Sequence, residues 1–596
     1  MSTGDVLRIA NCSGFYGDRF SAPRELVEGG PVDVITGDYL AELTMLILFK
    51  ARQRDRSLGY ATTFYRQMEE VLGTCRDRGI KVVANAGGLN PAGLADRLRT
   101  LAAELGIDAV VAHVEGDDIL GQLPRLRASG DGLAHLDTGA PLDPASDPVS
   151  ANAYLGGFGI AEALAGGADV VVTGRVTDAS LVVGPAVWHF GWKRDDWDRL
   201  AGAVAVGHVI ECGAQTTGGN YSFFEEVPGL EHPGFPIAEM EPDGSAVITK
   251  HPGTGGLVSV GTVTAQLLYE IGGPLYANSD VVADFSTIHL EQQGPDRVRL
   301  SGVRGLPAPD TLKVSINLLG GWRNTMTFVL TGLDIEAKAD LVERTLASSL
   351  GGTASFAHHD VRLIRTDRAD APTNEEASAQ LRVTVKSTDP EAVGRRFSNT
   401  ATEMALASYP GFYLTSPPGA ATAYGVYWPA LVARDAVDEV VVHSDGRRVP
   451  IGPPSTTAPL PPATPVSGHD VVDARVTSRR VPLGTVIGAR SGDKGGNANV
   501  GLWGGDAPGY AWLRAELTVA RLRALLPEAT DLAVDRYELP NLLALNFVIH
   551  GLLGEGVASS TRPDAQAKSL GEYLRSRLVD IPVDVLEGTA RSQPGR

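Results

Sequence analysis

The chain has 596 residues, 43% of them apolar and 21% charged, with a formal net charge of -19. That length exceeds one hydrophobic core and predicts two to four domains. The acidity excludes nucleic acid or an anionic membrane as the main partner, since both reward clustered Lys and Arg, but it leaves room for a small anionic ligand.

Three cysteines, Cys12, Cys75 and Cys212, form no Cys-x-x-Cys pair and no disulfide framework, which fits a reducing cytosol. The N-terminus lacks a basic segment followed by an apolar core, so no signal peptide is expected. The longest apolar runs, "MLILF" and "NLLALNFVIHGLL", are shorter than the roughly 20 residues of a spanning helix. The expectation is a soluble, cytoplasmic protein.

Taken in chain order, β-branched runs at 6–10, 32–37, 81–87, 109–114 and 169–174 read as strands. Amphipathic stretches at 39–51, 60–78, 92–105 and 153–164 read as the helices between them. Apolar strands separated by helices predict an α/β domain over 1–290, mostly parallel and doubly wound. From about Arg297 several strands surround one helix, "DIEAKADLVERTLASSL", so 291–450 reads as an α+β extension. Six prolines within 451–468 mark an extended linker. A small α+β module follows over 469–586, and "RSQPGR" reads as a frayed tail. No solenoid repeat is present.

Ligands of open parallel sheets bind beyond the carboxyl ends of the strands. Here those ends carry "NCSGFYGDR", "GDY", "NAGGLNP", "HVEGDD" and "GRVTDAS". Asp18, Arg19, Asp38, Asn85, Arg175 and Asp178 are the substrate-binding candidates at that edge. Asp18 and Arg19 also read as a pair satisfying each other. Cys12 reads as a small buried residue before it reads as a nucleophile. His113, Glu115, Asp117 and Asp118 of "HVEGDD" offer ligand types for a divalent metal, but no second histidine stands at metal-site spacing. No metal site is therefore assigned. "HPGTGG" (251–256) has glycines to cradle phosphate and lacks the Gly-Lys-Ser/Thr ending of a P-loop.

"GHVIECGAQTTGGNYSFFEE" (207–226) is the densest polar stretch of the N-terminal half. In it His208 is the candidate base, Glu211 the acid and Cys212 the nucleophile. Gln215, Thr216, Thr217 and Asn220 are the candidate carbonyl or oxyanion donors. The alternative is a glycine-rich turn whose side chains satisfy their own backbone. "GARSGDKGGNANVGLWG", Gly488 to Gly504, holds six glycines and reads as a ligand-facing loop. Arg490, Ser491, Lys494 and Asn497 are its binding candidates. Asp493 is either a base or the counter-ion of Lys494.

"SGDKGGNANVGLWG", "GHVIECGAQTTGGNYSFF", "VITKHPGTGGLVSVGTVTAQLLYEI" and "TGRVTDASLVVGPA" together resemble the acyclic terpene utilisation family of the AtuA type. The resemblance spans nearly the whole chain and implies a ferredoxin-like fold for the C-terminal module. It also implies a place in the catabolism of acyclic terpenoids, which runs through acyl-CoA thioesters, a carboxylation, a hydration and a cleavage. It supplies no catalytic residues.

The expected activity is that of a hydratase or lyase on a branched or terpenoid acyl-CoA or related carboxylic acid, with a coenzyme A thioester as the candidate substrate moiety and no cofactor assigned. The rival readings are an accessory or assembly subunit of an acyl-CoA carboxylase and a metal-dependent hydrolase built on His113 and Glu115. The chain has no biotin-accepting Met-Lys-Met and is not the biotin carrier. A homo-oligomer is the base-rate expectation. If the site lies where the C-terminal module docks, cutting the linker abolishes activity and leaves both pieces folded.

Overall fold

The strand Leu7–Asn11 lies in the middle of an eleven-stranded mixed sheet. Beside it Val34–Gly37, Lys81–Ala84, Val170–Thr173 and Val111–Glu115 follow in that spatial order, all parallel. The parallel expectation holds for these five. The sheet is completed by antiparallel pairs: Pro236–Met240, Ala246–Lys250, Arg297–Ser301 and His289–Gly294 extend one side. Val440–Val442 and Arg448–Pro450 extend the other. The sheet as a whole is therefore mixed, not mostly parallel.

The computed structural model describes residues 6–128, 133–352, 356–466, 468 and 477–592. The expected module start at His469 and the last four residues of the tail lie outside this set.

Period-two alternation assigns the two faces of the parallel strands. Ile9, Val34, Val83 and Val171 enter one core, with helices Phe158–Ala165, Ser180–Phe190 and Trp197–Ile210. Their neighbours Ala10, Ile35, Val82 and Val170 enter another, with Ala22–Gly29, Thr62–Arg78 and Pro91–Leu105. Asn90 caps the last of these, its side chain accepting from Gly93 N at 3.0 Å. That cap, and left-handed glycines at the ends (Gly79, φ 67°; Gly106, φ 68°), explain why Thr62–Arg78 stops, and Pro91–Leu105 begins and stops, so close to where the sequence predicts; Ala22–Gly29 was not predicted.

In the C-terminal module Ile487–Lys494, Asn497–Gly504, Ala544–Ile549 and Val534–Leu539 form a four-stranded antiparallel sheet in that order. It has its own core, including Leu513, Phe547 and Leu574. Yet Trp503, Leu539, Leu542 and Ala544 belong to the first core of the large sheet. The module is thus packed into the main domain. The proline-rich segment is tied down: Thr457–Ala458 pairs with Ala308–Pro309, and Val466 N donates to Arg536 O at 2.8 Å.

The chain forms two compact units. The first comprises residues 1–317, 427–557 and 564–596, and the second 318–426 with 558–563. In the second, Ser378–Ser387 pairs antiparallel with Trp322 to Thr331 of the long strand Thr311–Thr331 and with His358–Ile364. Helices Ile335–Leu350 and Arg395–Glu403 cover its apolar face through Val342, Leu346 and Phe397.

Candidate active site

The carboxyl ends of the parallel strands converge on a cluster of buried charges within the first unit. Asn85, after its strand, donates to Asp38 Oδ1 at 2.6 Å and accepts from Tyr39 N at 2.8 Å. Arg175 is 3% exposed and donates to Asp178 at 2.5 Å and to Leu40 O at 3.1 Å. Its guanidinium stacks 4.3 Å over Tyr154. Asp117 accepts from Arg175 N and from Asn152 Nδ2, each at 2.8 Å. Asn11, at the end of the first strand, reaches Ile210 O and Glu211 O at 2.8 Å, which pins the end of helix Trp197–Ile210 to the sheet edge.

That helix end delivers His208 and Glu211. His208 Nδ1 lies 3.2 Å from Glu211 Oε1, and both imidazole nitrogens and Glu211 Oε2 lack any hydrogen-bond partner among the described residues. Tyr276 and Phe285 flank the imidazole with ring centroids 4.8 and 5.5 Å away. The C-terminal module closes the same cluster. Lys494 Nζ donates to Glu270 O at 2.8 Å, Glu270 N donates to Asn499 Oδ1 at 2.7 Å, and Arg490 donates to Gln215 Oε1. Arg490 also stacks 4.2 Å over Tyr269.

Crowded carboxylates removed from water resist ionisation. Burial, then the Asp178 carboxylate, holds Asp38 well above the usual range. Burial, then Asp178 and Glu270, does the same to Glu211. Burial, then Glu270 and Glu42, raises Asp493. Burial also raises Glu270, against a hydrogen bond from Tyr269. Glu42 is the exception: burial opposes its charge, but Lys313 and Arg175 hold it down to about 2. Burial, then Lys494, pushes His208 down to about 4, and burial, then Lys313, lowers Lys494. The cluster therefore combines carboxyls whose ionisation is disfavoured (Asp38, Glu211, Glu270 and Asp493), the ionised Glu42, a neutral His208 imidazole and the Arg175 cation.

Several expectations change. Cys212 is pushed well up by burial and by Glu211 and Glu270, so it rests as a thiol with no thiolate to attack. Asp493 follows as a poor resting base. It also neighbours Lys494 on a strand, where successive side chains face opposite ways, and it is not that lysine's partner. Asp18 accepts from Gly14 N and Arg19 N and so serves its own turn, while Arg19 donates to Glu25 and to the distant Pro233 O, each at 2.7 Å. Asn220 is exposed in the left-handed region (φ 60°), a turn residue. Thr216 and Thr217 spend their hydroxyls on Val209 O and Gly234 O. Ser491 accepts from Gly571 N at 2.9 Å, and Asn497 binds Asp137 and Gly551 N.

The glycine-rich stretch is a β-hairpin, not a loop. Gly495 (φ 64°) makes its turn between Lys494 and Asn497, and a Cβ on Gly492 would stand 2.5 Å from the Tyr269 ring. Its glycines allow two surfaces to approach. "HPGTGG" is no phosphate cradle either: Lys250 Nζ donates to Thr254 O at 2.8 Å and pairs with Asp296, and His251 meets Leu26 O at 2.9 Å. His113 lies 3.0 Å from Glu115, whose other oxygen takes Arg448 at 2.7 Å. Among the described residues no group of three or more potential ligands can hold a metal ion.

Sequence reasoning missed Glu42, Tyr154, Tyr269, Glu270, Tyr276, Lys313 and Tyr427. Tyr154 donates to Glu42 at 3.1 Å, and Lys313 Nζ sits 4.8 Å over Tyr154. The buried Tyr427 hydroxyl has no hydrogen-bond partner among the described residues. Only Glu270 carries a backbone flag, a non-glycine residue at φ 56°, and that conformation is invisible in sequence.

The strand ends of a mixed α/β sheet thus bury a cluster of acidic and basic groups that the C-terminal module closes. The chain belongs to the acyclic terpene utilisation family AtuA, whose model matches residues 7–443, and the AtuA ferredoxin-like domain matches residues 481–580. The search of curated proteins and the search of solved structures gave no match. No helix among the described residues is long and apolar enough to cross a membrane.

Proposed function

We propose that this protein is an enzyme of acyclic terpenoid or branched-chain acid catabolism that performs acid–base chemistry on an acyl-CoA or related carboxylic acid. The observation that carries the reading is the juxtaposition of His208 and Glu211, two buried groups with unpartnered polar atoms and opposite pKa displacements. Burying unsatisfied polar atoms costs about 1–3 kcal/mol each, and a substrate or water that bonds them removes that cost.

Hydration or carbon–carbon lysis suits this pair. In hydration, His208 takes a proton from water, hydroxide adds to the carbon β to a thioester carbonyl, and protonated Glu211 delivers a proton to the α carbon. In lysis of a β-hydroxy thioester His208 takes the hydroxyl proton, the Cα–Cβ bond breaks to give a carbonyl fragment and a thioester enolate, and Glu211 delivers a proton to the enolate's α carbon. Arg175 and Lys494 supply positive charge for the enolate oxygen. His208 and Glu211 keep the catalytic roles expected of them, Lys494 joins them, and Cys212 and Asp493 take none.

The test is incubation of the purified protein with a panel of acyl-CoAs and their free acids, read by product mass. A gain of one water identifies a hydratase and a pair of fragments a lyase. In Glu211→Gln the rate should fall about 10²–10⁴-fold, the usual worth of a positioned acid, with the thermal midpoint unchanged or raised. No turnover, together with stable co-purification with carboxylase subunits, would replace this reading with that of an accessory subunit.

A further inference from the structure

The second unit carries a basic sheet face that serves no purpose yet described. On Ser378–Ser387, Ala379, Leu381, Val383 and Val385 enter the core, so Arg382, Thr384 and Lys386 share the other face. Register adds Arg323 and Thr325 from one neighbouring strand, opposite Lys386 and Thr384, and His358, Asp360 and Arg362 from the other. Four fixed cations thus share a face with one carboxylate, in a chain of net charge -19.

That carboxylate is already used: Asp360 accepts from Arg362 at 2.8 Å and interacts with Thr561. Arg323 donates only to carbonyls, Ala558 O at 3.1 Å and Ser560 O at 3.2 Å. Lys386 donates to Ser559 Oγ at 3.0 Å and lies 4.6 Å over Tyr424. Arg382 has no hydrogen-bond or ion-pair partner among the described residues, and it faces Arg323 closely enough to disfavour that group's charge, after burial. Thr325 and Thr384 place hydroxyls 3.0 Å apart between them.

Arg323 and Arg382, like charges gathered on one face with no carboxylate bonded to them among the described residues, cost stability, and a bound anion repays the cost. Two guanidinium forks with hydroxyl donors match a tetrahedral, doubly charged oxyanion. We propose that this face binds a phosphate group, with Arg382 and Arg323 as its principal ligands. The proposal concerns the second unit alone and stands whatever reaction the His208–Glu211 pair performs.

Calorimetric titration of the full-length protein tests it, with inorganic phosphate, adenosine 3′,5′-bisphosphate and coenzyme A as separate probes. Saturable binding of at least one is expected. Arg382→Met should weaken it at least tenfold, and Arg382→Lys by less, because charge survives and the fork does not. Binding of inorganic phosphate alone identifies a free-phosphate site, and preference for the nucleotides identifies a nucleotide handle; either supports the site. Wild-type affinity in both Arg382→Met and Arg323→Met would overturn it. So would loss of binding in sodium chloride equal to that in sodium phosphate of the same ionic strength, or no binding of any probe. Turnover does not enter the readout, so this result and the fate of the catalytic reading are separable.

Discussion

Only 2% of His208 is exposed, and its pKa near 4 means that the folded protein refuses a proton that the unfolded chain, with an ordinary value of 6.5, accepts. Stability associated with His208 is therefore complete above pH 6.5 and is lost as pH falls toward 4. His208→Gln should flatten the drop in thermal midpoint between pH 7 and pH 5; an unchanged slope would contradict the burial argument. Asp117 has the opposite sign. Burial raises it to about 7, so its contribution is complete below 3.8 and is lost as pH rises to 7. Asp117→Asn should remove that part of the alkaline-side loss in the same scan. At this scale the sequence was readable for residues that share a motif, such as His208 with Glu211, and for strand-end polar groups such as Asp38 and Arg175. It was silent on Glu42, Glu270 and Lys313, which lie far apart in sequence and meet only through tertiary packing.

Among the elements, the hairpin Ile487 to Gly504 shows how a sound signal can receive the wrong geometry. Six glycines suggested a ligand loop, because glycine tolerates unusual backbone. Most serve close approach, as where Gly492 faces Tyr269 and Gly501 faces Leu268. Gly492→Ala would place a methyl 2.5 Å from the Tyr269 ring and 3.0 Å from Glu270 Cγ. Overpacking of that kind costs about 1–3 kcal/mol and should displace Glu270. The expected result is a lower thermal midpoint with a larger proportional loss of activity; equal wild-type values would show that the hairpin does not shape the cluster. The parallel strands and their helices were legible because each carries its own periodicity and stop signals. The antiparallel flanks were not, since pairing partners such as Pro236–Met240 and Leu7–Asn11 are set by the fold and not by local composition.

For the whole molecule, the proline segment suggested an extended linker whose cutting leaves two folded pieces. Trp503, Leu539, Leu542 and Ala544 instead complete a core that begins at Leu7. A cut in the segment 451–468 should leave an N-terminal piece with an open apolar face, recovered as aggregate, in place of two folded halves. Size-exclusion chromatography of that piece decides the matter, and a monodisperse fragment would restore the expectation of separately folded pieces. Trp503→Ala should cost about 3–5 kcal/mol for the same reason.

The order in which the chain leaves the ribosome bears on the second unit. Its strands and helices are synthesised by Val426, but residues 558–563, which supply the acceptors for Arg323 and Lys386, come more than a hundred residues later. At roughly 5–20 residues per second the nascent unit waits on the order of ten seconds for its last strip. During that interval Arg323 and Lys386 are without those acceptors, so the final arrangement of the face is completed only after most of the chain has been made.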